Sequence, residues 1–77
     1  MTRLPVVSGR QLVKALERVG FRVDRQKGSH IILKQTVSPF ARLSVPNHKE
    51  IKRGLLLSLL RDAGLTREQF MSLLEQG

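Results

Sequence analysis

The chain contains no cysteine, no tryptophan and no tyrosine. Without cysteine there are no disulfides and no thiolate metal sites. Such a composition suits a reducing compartment, and a cytoplasmic protein is expected. Three phenylalanines are the only aromatics, so the stacking platform of many single-strand binders is missing from the pattern. Acidic residues are scarce as well, and Asp24, Glu50 and the acids of the helical segments are scattered. Metal-dependent hydrolysis draws on clustered carboxylates or histidines, so no metal or other cofactor is expected. Glycine is present, but not as a phosphate-cradling loop. The longest apolar run, Leu55 to Leu60, includes Ser58 and is far too short to span a bilayer. Leu4 to Val7 is broken by Pro5 and is too short for the apolar region of a secretory signal. A soluble protein with no membrane partner is expected.

What is present is positive charge. Fourteen Lys and Arg face six Asp and Glu, for a net charge of +8 on 77 residues. Such an excess attracts polyanions, nucleic acid first among them. The length fits one domain, residues 1–77, with no room for a large enclosed pocket. An active site on it should be shallow and open, as a polymeric substrate requires.

Residues 1–7 read as a short, frayed lead-in. Ser8, with Gln11 three residues later, forms a capping box for a first helix. Leu12, Val13, Leu16 and Val19 recur at helical spacing, and Gly20 supplies a left-handed stop. Phe21 and Val23 then alternate with Arg22 and Asp24, as in a strand. Lys27-Gly28-Ser29 is a turn, and His30 to Lys34 is the returning strand. Thr36 to Phe40, with Pro39, makes a loop. Arg42 to Val45 is a third strand, ended by Pro46 and Asn47. From about Lys52 the helical period returns, with Leu55, Leu56, Leu59, Leu60 and Ala63 on one broad stripe up to Gly64. Thr66 and Gln69 form a second capping box, and Phe70, Leu73 and Leu74 give a last short helix its buried face. The expected fold is α+β in the order α-β-β-β-α plus a short extra C-terminal helix, with one face of a three-stranded antiparallel sheet covered by helices. That is the layout of double-stranded-RNA-binding-like folds.

Strand alternation sorts the side chains. Phe21, Val23, Ile31, Leu33, Leu43 and Val45 should face the core. Arg22, Asp24, His30, Ile32, Lys34, Arg42 and Ser44 should share the open face. An uncovered antiparallel sheet is polar as a rule, but a general polarity does not account for the excess of cations. Lys27 in the turn adds to them, and Lys49, Lys52 and Arg53 precede or start the second long helix, whose first N–H groups are free to meet a phosphate.

The two histidines, His30 and His48, bring the chemistry. Histidine gives and takes protons near neutral pH. RNA cleavage by internal attack needs a base for the 2′-hydroxyl, an acid for the leaving oxygen and cations for the phosphoryl oxygens. His30, with Lys27, Lys34 and Arg42, contains those residue types.

The chain resembles the HicA family of toxins, also called the YcfA family, over about Ser8 to Phe70. The resemblance is carried by Gly20-Phe21, Lys27-Gly28-Ser29-His30, Val45-Pro46-Asn47-His48, Lys52-Arg53-Gly54-Leu55 and Ala63-Gly64-Leu65. Each motif alone is common; their order and spacing together are specific. Where relatives often carry Gly-Thr-Leu, this chain has Gly54-Leu55-Leu56 and lacks that hydroxyl. The resemblance implies a double-stranded-RNA-binding-like fold, a metal-independent endoribonuclease that cleaves messenger RNA and arrests translation, and a HicB-type antitoxin that neutralises it. It also implies that His30, in the Gly-Ser-His motif, is catalytic. Lys27, Ser29, Lys34, Arg42, His48 and Lys52 are the candidate RNA-contacting residues. Two other readings of the residues stand beside it: a non-catalytic RNA-binding module, and a DNA-reading helix-turn-helix formed around Arg61 to Thr66.

Overall fold

A computed structural model describes residues 4–38 and 40–76. Residues 1–3 of the lead-in and Pro39 of the expected loop lie outside the described residues. The elements run in the order α1 (Gly9–Glu17), β1 (Phe21–Lys27), β2 (His30–Gln35), β3 (Arg42–Pro46), α2 (Arg53–Asp62) and α3 (Arg67–Gln76). The three strands form one antiparallel sheet in sequence order. This is the expected α-β-β-β-α order with its extra C-terminal helix.

Local chemistry sets the helix ends. The Ser8 hydroxyl accepts from the Gln11 N–H at 3.1 Å, and the Gln11 side chain accepts from the Ser8 N–H at 2.8 Å. Thr66 and Gln69 repeat the same reciprocal pair ahead of α3, at 3.1 and 2.8 Å. A cap of this kind contributes about 1 kcal/mol. The end of α2 is closed by Gly64 at φ 76. The Gly64 N–H donates to the Arg61 carbonyl and the Leu65 N–H reaches back to Leu60, the paired bonds of a Schellman motif.

The core lies between the sheet and the helices. Phe21, Ile31, Leu33, Leu43 and Val45 supply it from the sheet, and Leu12, Leu16, Leu56, Leu60 and Phe70 from the helices. Leu12 and Leu33 are fully enclosed, so truncating either to alanine costs roughly 2–5 kcal/mol. Helix α1 packs on β1 and β3, α2 packs on β3, and α3 packs on α1.

Several residues depart from the sequence expectation. Val23 does not enter the core; it is 46% exposed. Its register partner is Leu33, so it keeps the helix side of the sheet, but β1 is an edge strand whose burial stops at Phe21. Leu55 is exposed as well, because the stripe of α2 that meets the sheet centres on Leu56, Leu59 and Leu60. Val19 lies in the turn beyond α1 at the margin of the core. Conversely, Val7 and Ile51 are core residues. The lead-in is not frayed at its inner end: the Val7 carbonyl accepts from the Ile51 N–H at 2.8 Å, and the Gly9 N–H donates to the His48 carbonyl at 2.9 Å. A Cβ at Gly9 would overlap the Pro46 carbonyl oxygen. Glycine at this position is what lets α1 start against the end of β3.

Candidate nucleic-acid interface

The face of the sheet turned away from the helices is built in cross-strand rows, because paired residues of neighbouring strands point the same way. Lys34 on β2 pairs with Arg22 on β1 and with Arg42 on β3. These three form a row of cations. In the next row Ile32 pairs with Arg25 and Ser44. In the last row His30 pairs with Lys27 and Pro46. Ile32 is half-buried, while Arg22, Arg25, Lys27, His30, Lys34, Arg42 and Ser44 are exposed.

A β-bulge produces this layout. The register shifts between Val23 and Arg25, so that Asp24 and Arg25 together oppose Ile32. Asp24 is the extra residue, and past it the parity of the strand reverses. Arg25 and Lys27, which strict alternation from Phe21 would send to the helix side, therefore join the open face. Lys27 is the last residue of β1 rather than part of the turn, which consists of Gly28 and Ser29. Gly28 has φ 60, at the first central position, where a two-residue hairpin turn takes glycine. Asp24 also meets Lys34 in an ion pair at 3.6 Å. It is the acidic member of an otherwise basic face.

The structure brings some candidate residues together and separates others. Lys27, Ser29 and His30 share the hairpin tip. The loop after β3 is tied to that tip by the Asn47 N–H, which donates to the Ser29 carbonyl at 2.6 Å. His48 follows in the same loop, with its side chain exposed and its carbonyl held by Gly9. Lys34 and Arg42 lie at the other end of the face. Lys34 is four residues from His30 on one strand, ~13 Å at the usual rise. Lys27 is thus the cation paired directly with His30, whereas Lys34 and Arg42 extend from the opposite end of the face. Lys52 is the N-cap residue of α2 and makes no side-chain capping bond, and that helix has no acidic residue in its first turn. Arg25 escaped the sequence reading, since parity counted from Phe21 placed it on the wrong face.

A groove between α1 and α3, lined by Gln11, Lys14, Ala15, Arg18, Leu73 and Leu74, contains neither histidine. Among the described residues no three His, Asp or Glu side chains gather where they could hold one metal ion. Among them, too, no helix is long and apolar enough to cross a membrane.

Residues 9–65, most of the chain, match the family described as the HicA toxin of bacterial toxin-antitoxin systems. No curated protein matches the chain.

Proposed function

Because the chain belongs to the HicA family of toxins from bacterial toxin-antitoxin systems, we propose that it is an endoribonuclease that cleaves messenger RNA without a metal ion and so arrests translation. The observation that carries this reading is the last row of the sheet face: His30, exposed, directly opposite Lys27 and beside the Ser29–Asn47 link. In this reading a phosphodiester lies across the hairpin tip. The 2′-hydroxyl loses its proton to a base and attacks the adjacent phosphorus. The bond to the 5′-oxygen of the next nucleotide breaks, and that oxygen takes up a proton, leaving a 2′,3′-cyclic phosphate and a 5′-hydroxyl. His30 serves as the base or the acid of this exchange. Lys27 offsets the charge that builds on the phosphoryl oxygens. His48, at the same end of the sheet, and Lys52, at the start of α2, contact the RNA flanking the cut. The partner is a HicB-type antitoxin that binds the chain and blocks cleavage.

The test is cleavage of a defined messenger RNA by the intact chain and by its His30→Ala variant, with a chelator present. The expected result is products from the first and none from the second. The same RNA sequence made with 2′-deoxyribose should resist both. Cutting of that deoxy strand would exclude internal attack. RNA binding by both proteins with no cleavage by either would leave a binding module.

A further inference from the structure

Phe40 is the one phenylalanine that the core does not use. Phe21 and Phe70 are enclosed, whereas Phe40 is 63% exposed. Its backbone has φ 57, the left-handed region that a bulky side chain rarely adopts. The surrounding loop holds it there. The Phe40 N–H donates to the Val37 carbonyl at 2.9 Å. On the other side Ala41 is fastened to Gln35 twice, through its carbonyl at 2.9 Å and its N–H at 3.0 Å. A glycine would sit in this conformation without strain. A strained, exposed aromatic that contributes nothing to the core is of the kind kept for binding. Two residues further on, Arg42 opens β3 and completes the Arg22–Lys34–Arg42 row.

We propose that this end of the sheet, remote from His30, is a nucleotide subsite for single-stranded RNA. A backbone phosphate sits on the Arg22–Lys34–Arg42 row and an unpaired base stacks on Phe40. Recognition of single-stranded RNA commonly joins a basic surface to an aromatic face in this manner. The cations that begin two residues after the aromatic favour a nucleotide over an apolar protein segment. The subsite rests on the RNA-cleaving reading of the His30 row for its choice of polymer. It adds a second point of attachment a few nucleotides from the cut and so sets the direction of the strand across the sheet.

The absence of tryptophan and tyrosine makes the test direct. In the Phe40→Trp variant the new indole is the only strong fluorophore of the chain. Titration with a short 2′-O-methyl oligonucleotide, which cannot be cleaved by internal attack, should quench it saturably. Inorganic polyphosphate should compete for binding without quenching. In the parent chain, Phe40→Ala and Phe40→Leu should each weaken oligonucleotide binding by about tenfold, since stacking requires the ring and not mere apolarity. Adding Arg22→Ala and Arg42→Ala to Phe40→Trp should shift the quenching curve to higher concentration by a similar factor. Emission that the oligonucleotide leaves unchanged, or full affinity in Phe40→Leu, overturns the subsite. So does a Phe40→Ala variant that loses only its association with the antitoxin. The two readings separate cleanly. Cleavage without quenching removes the subsite and keeps the nuclease, whereas quenching by a chain that cuts no RNA keeps the subsite and removes the nuclease.

Discussion

Lys27 and His30 are the closing pair of the β1–β2 ladder, directly opposite one another across the Gly28–Ser29 turn. Lys34 lies at the far end of the same face. The two lysines should therefore fail differently when truncated. Lys27→Ala is expected to lower kcat by roughly ten- to a hundredfold, because it removes charge where the phosphoryl oxygens become more negative. Lys34→Ala should leave kcat near the parent value and raise KM, with the salt dependence of binding reduced by about one counterion. Steady-state cleavage of one RNA at several salt concentrations distinguishes them. Equal effects on kcat would remove the assignment of Lys27 to the scissile phosphate.

Asp24 places a negative charge on the basic face and pairs with Lys34 between partly exposed groups. Such a surface pair contributes about 0–1 kcal/mol. Asp24→Asn should thus change the unfolding midpoint little while tightening RNA binding a few-fold, as Lys34 is released to a phosphate. Thermal unfolding and filter binding, run side by side, check both halves of this expectation.

Gly9 and Gly54 look alike in the sequence and should respond in opposite ways. At Gly9 an added methyl meets the Pro46 carbonyl, and such overpacking costs about 1–3 kcal/mol. Gly9→Ala should also reduce cleavage at temperatures where the chain remains folded, since the displaced segment leads into His48. At Gly54, in the first turn of α2, a Cβ meets open space. Gly54→Ala should be neutral or stabilising by up to about 1 kcal/mol. Denaturant unfolding of the two variants measures the contrast.

Phe40→Gly should stabilise the fold. The substitution relieves a left-handed backbone at the cost of little packing, a gain of about 1 kcal/mol. A rise of several degrees in Tm is expected for a domain of this size. A fall in Tm would mean that the ring is packed by something that its exposure does not reveal.

Much of this architecture was legible because its signals are local. The Ser8–Gln11 and Thr66–Gln69 boxes, the glycine stops at Gly20 and Gly64, and the Gly28 turn each lie within a few residues of what they control. The parity of β2 and β3 held throughout, so His30, Lys34, Arg42 and Ser44 share a face as alternation requires. What failed depended on distant partners. Nothing at Asp24 announces a bulge, yet the bulge decides where Arg25 and Lys27 point. Periodicity identified an apolar stripe on α2 but not its centre, which the sheet sets, and so Leu55 was misplaced. Val7 and Ile51 stand outside any periodic segment, yet both are buried in the core, and the Ile51 N–H donates to the Val7 carbonyl across the fold. For the candidate site, residue types were legible and distances were not: Lys27 stands beside His30, whereas Lys34 and Arg42 do not.

The link from Gly9 to His48, and from Val7 to Ile51, joins stretches about forty residues apart in the chain, the kind of non-local contact that forms late. During synthesis the hairpin bearing Lys27 and His30 emerges well before the segment that buttresses it. The loop with Asn47 and His48 can take its final place only after β3 and the start of α2 have left the ribosome. A nascent chain would thus display its histidine hairpin without the backing that holds the site in shape. Under the function proposed above, that order of assembly acts as a delay: the hairpin gains its backing only when nearly all of the chain has been released.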